Sequence, residues 1–288
     1  ELRAKTGSYC YALPYYNPAL EIAVFLFLVS SITILSEMQF NLMLSIVYCA
    51  VFFVSLSGPV HGASGAVDPK QLLKSAETVR NPPQSYRVKI SLIDKIGGKK
   101  DLRTYETLIK GQAKALVRFL TPEVDRGTKV LLVEDQMWVY LPSTAKPLRI
   151  SPRQKLTGNA AYGDVARLTF VDKYTVTLNR KDVFRERKAY VLDLVAIEGK
   201  AVTYDKVEYW VDMQTKSPLK AVYKTYEGKI LREGYFEKYS NVFGIKRPTQ
   251  LRIVDHLQPD HVTTIEYSGA KKENFPDLLF EKENFIRG

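Results

Sequence analysis

From Ser85 onward apolar and polar residues alternate with a period of two, and no other feature constrains the fold of this chain as strongly. Tyr86, Val88, Ile90 and Leu92 interleave with Arg87, Lys89 and Ser91, the pattern of a strand with one face buried. Similar runs follow at 102–110, 113–120, 128–134, 136–142, 173–180, 188–197, 202–212, 218–226, 229–238, 245–255 and 261–268. Turn signals separate them, among them Gly97-Gly98, Glu198-Gly199-Lys200, Glu227-Gly228-Lys229 and Gln258-Pro259-Asp260. Strand following strand through short turns favours a meandering antiparallel sheet over βαβ units. The expected fold class is therefore mainly β.

Three segments break the alternation. Residues 69–80 carry apolar side chains at 72, 73, 76 and 79, behind Asp68 as N-cap and Pro69 at the first helical position. This predicts an amphipathic helix, stopped at Asn81-Pro82-Pro83 because proline disfavours helical geometry in the residue before it. Residues 142–172 hold three prolines and then Asp164, read as the N-cap of a short helix bearing Val165 and Leu168. Near the end, Phe275-Pro276-Asp277-Leu278-Leu279-Phe280 predicts a turn into a last docking segment. Within the strands, the hairpin at 130–141 is unusual because both of its faces are apolar. With a turn at Asp135-Gln136, Val130, Leu132, Met137, Val139 and Leu141 share one face, and Leu131, Val133, Trp138 and Tyr140 the other. Each face then needs a cover: the curved sheet itself on one side, a helix or another apolar body on the other.

Residues 1–63 differ from everything after them and are expected to be a leader preceding one domain at 64–288. They hold two apolar stretches, 20–35 and 42–56, and only two of the chain's basic residues, Arg3 and Lys5. The second stretch, the break at Gly58-Pro59 and the small residues at 62–66 predict a signal peptide at about 38–63, cleaved near 62–66. Met38 is the more natural initiator, with residues 1–37 a mis-started segment. The alternative, two membrane helices, needs about 20 residues in each stretch, more than either has. Both cysteines, Cys10 and Cys49, lie in this leader. The domain beyond it then has no thiol for disulfides, metal binding or nucleophilic chemistry, and Tyr48 before Cys49 disfavours lipid attachment there.

The run Val117–Pro142, with its pieces RFLTPEVDRGTKVL and MWVYLP, resembles the signature stretch of the outer-membrane lipoprotein-sorting family, whose fold is LolA-like. Arg149-Ile150-Ser151 and Tyr162-Gly163-Asp164 resemble that family's central region. The resemblance implies a strongly curved antiparallel sheet forming an incomplete barrel, its open side closed by short helices over an apolar cavity. The helices at 69–80 and near 164 are then the lids. It further implies a carrier or chaperone in the periplasm of a Gram-negative bacterium, shielding lipoprotein acyl chains or other lipid. An acyl chain of a dozen carbons needs about 10 kcal/mol of hydration cost offset, at about 0.8 kcal/mol per methylene. Its partners would be an inner-membrane transporter and an outer-membrane acceptor, and the carrier itself a monomer. On this reading Phe119, Leu132, Met137, Trp138, Val139 and Tyr140 line the cavity. Leu72, Leu73 and Ala76 close it, and Arg118 and Arg126 are the candidate polar cavity residues. A non-enzymatic accessory subunit of an envelope transporter of the resistance-nodulation-division type remains the alternative.

Other function classes find less support. No cofactor or metal is expected: His256 and His261 flank a Pro-Asp turn and read as hairpin residues facing water. No nucleophile elbow, P-loop or dinucleotide fingerprint appears. The net charge of +11 invites a nucleic-acid reading, but the basic doublets Lys99-Lys100, Arg180-Lys181, Arg187-Lys188 and Lys271-Lys272 are spread along the strands as solvated edges. No nucleic-acid partner is expected. An integral outer-membrane barrel shares the strand pattern, but Arg232–Lys238 carries charge on both faces, which a lipid-facing wall does not tolerate.

Overall fold

The structure, a computed structural model, describes residues 67–144 and 146–285. The expected signal peptide, its cleavage region, both cysteines and the 1–63 leader lie outside the described residues.

Helix α1 (Pro69–Arg80) forms where the cap and apolar spacing predict it. The Asp68 carboxylate accepts from the Lys70 N–H at 2.9 Å, so one of the orphan donors of the first turn is satisfied. Leu72, Leu73, Ala76 and Val79 are buried, and with them Glu77. Asn81 ends the helix in extended geometry ahead of Pro82 and Pro83.

Fifteen strands follow among the described residues. They are β1 (Tyr86–Ile96), β2 (Lys99–Lys110), β3 (Lys114–Thr121), β4 (Lys129–Val133), β5 (Gln136–Tyr140), β6 (Leu148–Ile150), β7 (Lys155–Thr157) and β8 (Ala160–Ala161), then after the four-residue helix α2 (Tyr162–Val165), β9 (Tyr174–Phe184), β10 (Arg187–Ala196), β11 (Lys206–Asp212), β12 (Pro218–Lys224), β13 (Ile230–Val242), β14 (Ile245–Asp255) and β15 (Val262–Lys272). Thirteen make one antiparallel sheet in the order β6-β5-β4-β3-β2-β1-β15-β14-β13-β12-β11-β10-β9, and β7 pairs with β8 alone. The mainly β, meandering reading holds, and each expected strand has its counterpart. The short β6, β7 and β8 fall in the proline-rich segment, where alternation is too brief to register. The run expected from 202 begins as a strand only at Lys206; Val202, Thr203 and Tyr204 are buried but unpaired, with Tyr204 stacked on Tyr223 at 3.9 Å.

The edges of the sheet, β6 and β9, do not pair with each other, so the sheet is open; a bilayer-spanning barrel has no such edges. It is nonetheless strongly curved. Lys173, just before β9, donates to the Asp135 carboxylate in the β4–β5 turn, and Lys200 reaches the same carboxylate at 3.3 Å. In a flat sheet β5 and β9 would stand about 50 Å apart at ~4.8 Å per strand, so the contact requires the two sides of the sheet to curl toward one another.

The two apolar faces of the β4–β5 hairpin each have a cover. Val130, Leu132, Met137 and Val139 belong to the inner core beneath α1, with Leu141 packed against it. Leu131, with Val133, Trp138 and Tyr140, packs outward against Leu108, Leu116, Phe275, Phe280 and Phe285. The outer cover is the C-terminal segment, whose single 3₁₀ turn spans Asp277–Phe280. Lys110 and Lys114 fasten it through Asp277 at 3.0 and 2.7 Å. The hairpin turn lies one residue earlier than expected. Val133 pairs with Gln136, leaving Glu134 and Asp135 in the turn and Glu134 at φ 54°. The face assignments survive because the pairing parity is unchanged.

Two local expectations are corrected. Asp164 is the third residue of α2 rather than its N-cap, and its carboxylate reaches back to the Ala161 N–H at 2.9 Å, the acidic half of a capping box. His261 does not face water. It is 7% exposed and contacts the Asp94 carboxylate across the β1–β15 pairing at 3.1 Å, whereas His256 is exposed. Thr263 donates to the same carboxylate at 2.5 Å and accepts from the Asn159 N–H at 2.7 Å. Gly158, at φ +53°, completes this cluster because a Cβ there would stand 2.0 Å from Asp94 Oδ1.

Candidate functional site

The inner face of the sheet and the underside of α1 enclose a continuous apolar interior. Strands supply Tyr105, Phe119, Leu132, Met137 and Val139 from one side of the sheet and Tyr209, Tyr223, Phe236 and Leu251 from the other, while α1 supplies Leu72, Leu73 and Ala76. The β9 approach adds Phe170, which meets Tyr174 and Tyr209 edge-on at 5.4 and 5.5 Å. Edge-to-face contacts of this kind orient large rings without charge or covalent links. Tyr105 meets Phe119 in the same way at 4.8 Å, and burial holds the Tyr105 phenol well above its ordinary pKa.

Of the residues singled out from the sequence, Phe119, Leu132, Met137, Val139, Leu72, Leu73 and Ala76 come together here. Trp138 and Tyr140 stand on the opposite face, against the C-terminal phenylalanines. Arg118 also points outward, pairing with Glu106 at 3.3 Å. Arg126 is 62% exposed and pairs with Glu123 at 2.9 Å, three residues back in the chain.

The polar groups that organise the interior lie elsewhere. Glu77 is fully buried, and its carboxylate gathers six donors. Arg80 Nε and Nη2 approach at 2.7 Å, the Phe170 N–H and Thr169 Oγ1 at 3.1 Å, and Asn81 Nδ2 and Tyr209 OH at 3.4 Å. Burial acts to lower the Arg80 pKa, but the Glu77 carboxylate prevails and holds the guanidinium above its ordinary value. Arg80 also donates to the Leu168 carbonyl at 2.8 Å and lies over the Phe170 ring at 4.5 Å. Arg167 returns the clasp. Its Nε donates to Asn81 Oδ1 at 3.0 Å, its Nη2 to the Arg80 carbonyl, and its guanidinium covers Tyr267 at 4.4 Å. The Arg167 backbone sits at φ 59°, a conformation unfavourable for a residue with a Cβ and sustained here by these contacts.

Together these bonds latch the C-terminal end of α1 to the segment 167–170. Beside them, Asp164 accepts from Tyr204 OH at 2.9 Å, and burial raises the Asp164 carboxyl above its usual range. The latch was not singled out from the sequence, though one signal was there. Glu77 lies four residues after Leu73, on the apolar stripe, and an acid in that position must be buried with a partner.

No curated protein matches the chain. A family described as "Uncharacterized protein" matches residues 111–287. Among solved structures, a LolA superfamily protein from Nitrosomonas europaea is 33% identical, with a TM-score of 0.71, covering 76% of this chain and 99% of that one. A DUF1329 family protein from Desulfovibrio piger is 24% identical with a TM-score of 0.66, over 75% of this chain and 99% of the other. A putative outer membrane lipoprotein-sorting protein domain from Vibrio parahaemolyticus is 19% identical with a TM-score of 0.65, over 76% and 100%. The last two bear on the fold alone.

Proposed function

Because the chain belongs to the LolA superfamily, we propose that it is a periplasmic carrier that shields lipidated or lipidic cargo between α1 and the inner face of the sheet, acting by reversible burial rather than by bond chemistry. The observation that carries this reading is the construction of the lid. Helix α1 meets the sheet through apolar side chains, and its polar fastening is concentrated at one end, on Glu77, Arg80 and Asn81. Freeing that end uncovers a broad apolar face without breaking any strand pairing. Acyl chains gain about 0.8 kcal/mol per methylene by entering such a face, enough to replace the contacts that α1 gives up. The cavity residues we assign are Phe119, Leu132, Met137 and Val139 from the sheet and Leu72, Leu73 and Ala76 from the lid.

Native mass spectrometry of the protein recovered from its own cells tests this, and bound lipid or a lipid-modified protein is the expected result. An empty protein, combined with failure of a fluorescent acyl probe to bind it, would refute the carrier reading. Intrinsic fluorescence is a poor substitute. Trp138 packs in the outer cluster and Trp210 in another outer cluster with Val191 and Leu219, so neither indole lines the interior.

A further inference from the structure

Arg247, third residue of β14, is 4% exposed, and its Nε, Nη1 and Nη2 atoms are all enclosed without a hydrogen-bonding partner among the described residues. A guanidinium carries five N–H donors, and a buried one with none of them satisfied is a rare and costly arrangement. Burial brings its pKa down to about 10, Tyr86 acting to raise it and Arg167 to lower it further. Arg247 borders a cavity of about 210 Å³ between the α1–β1 connection and the β13–β15 strands. Tyr86, Val88, Val242 and Tyr267 form apolar walls, Arg167 is a second cation on the lining, and no lining residue is acidic. The exposed Ser240, Ser268 and Gly269 also border it, so the cavity opens to solvent. At about 30 Å³ per water-sized group it holds roughly seven non-hydrogen atoms, enough for a charged head and its first carbons but not for a whole acyl chain.

We propose that this cavity is an oxyanion subsite, in which the buried Arg247 fork receives the carboxylate or phosphate head of an amphiphile while Tyr86, Val88 and Val242 pack against its first carbons. The amphiphile, though not the oxyanion, rests on the carrier reading. A planar fork matches both head groups by paired N–H···O bonds, and an incoming anion would supply the counter-charge the protein withholds. Arg167 adds positive potential from a side chain already anchored to Asn81 and Tyr267, so it need not move.

Calorimetric titration of the full-length protein with octanoate, 1-octanol and inorganic phosphate at low ionic strength tests the assignment. Octanoate is expected to bind at least about tenfold more tightly than octanol, as charge-assisted bonds in an enclosed site allow. Arg247→Met should abolish that preference while leaving octanol binding unchanged. This variant removes an unpaired buried charge, so it should melt no lower than wild type, and its melting curve separates lost binding from lost folding. Arg247→Lys, which keeps the charge but not the fork, should retain only part of the preference. Phosphate binding that depends on Arg247 would identify a free anion as a source of the same chemistry. Equal affinity for octanoate and octanol, or a preference that survives Arg247→Met, overturns the subsite and leaves the carrier reading standing. Arg247-dependent phosphate binding with no uptake of either octyl ligand supports the oxyanion subsite and overturns the amphiphile as its occupant, while the carrier reading stands or falls by its own test.

Discussion

Replacing Glu77 by leucine should unfasten the lid while leaving the sheet in place. The substitution replaces the carboxylate by an apolar side chain of similar size, so no large cavity forms. It leaves Arg80, whose side chain is only 14% exposed, without its counter-charge. It also strands the Phe170 N–H and the Thr169 and Tyr209 hydroxyls. Breaking a buried pair by removing one partner costs about 3–5 kcal/mol. Because the leucine regains some apolar contact and Arg80 keeps the Leu168 carbonyl, a loss of about 3 kcal/mol is expected. In a domain of this size that lowers Tm by about 6–12 °C. Urea denaturation measures the loss, and hydrogen exchange should show it concentrated in residues 69–80 and 167–170. Adding Arg80→Met should return about 2 kcal/mol, since both charges are then gone and the pair is coupled. A loss below about 1 kcal/mol, or a double variant as unstable as the sum of the singles, would refute the view that Glu77 is the hub of the latch.

The seam between Asp135, Lys173 and Lys200 makes a pH-dependent contribution. Burial opposes it, but the two lysines hold the Asp135 carboxyl below its usual range, so its stabilisation is present above the ordinary carboxylate pKa of about 4 and fades as pH falls through the lowered value. Because Asp135 is 36% exposed, solvent screening limits the cost of Asp135→Asn to about 1 kcal/mol at neutral pH, and wild type and variant should converge in acid denaturation series. Gly158→Ala should cost at least about 2 kcal/mol in urea denaturation, because it combines a left-handed backbone with a clash on Asp94; a neutral result would show that the β7–β8 turn shifts freely. Phe285→Ala, at a fully buried site near the chain end, should cost about 2–3 kcal/mol and shift Trp138 emission to the red as the outer face becomes wet. Unchanged emission would show that the C-terminal cover is dispensable.

Period-two alternation carried most of the architecture, because a strand buried on one face must show it residue by residue, and Asp68-Pro69 marked α1 for a similarly local reason. Alternation groups residues by face but does not say which face is inner. Phe119 and Met137 therefore could not be told apart in role from Trp138 and Tyr140, which the fold sends outward. The polar latch depends on residues some ninety positions apart, Glu77 with Phe170 and Arg80 with Leu168, and no local spacing reports such a contact. The same holds for His261, whose turn context suggested solvent until pairing of β1 with β15 set Asp94 beside it. Arg247 is the extreme case. Alternation puts it on the face of Leu251 and Ile253, opposite Arg252, but only the assembled fold shows that Arg252 gains a carboxylate from Glu237 while Arg247 gains none among the described residues.

The strand order has a consequence for how the chain is made. The first long strand, β1, lies between β2 and β15, so one of its two edges has no partner until residue 272 exists. A growing or truncated chain therefore carries a long strand with one apolar face and an unpaired edge through most of its synthesis, the kind of edge that templates association between molecules. Meanwhile the two edges that stay open in the finished protein, β6 and β9, come from the middle of the sequence and are separated by the segment bearing α2. Assembly thus ends at the termini and leaves its permanent opening at mid-chain, so a helper protecting the nascent chain would have to hold β1, and cutting the chain within 151–173 should cost the finished sheet least.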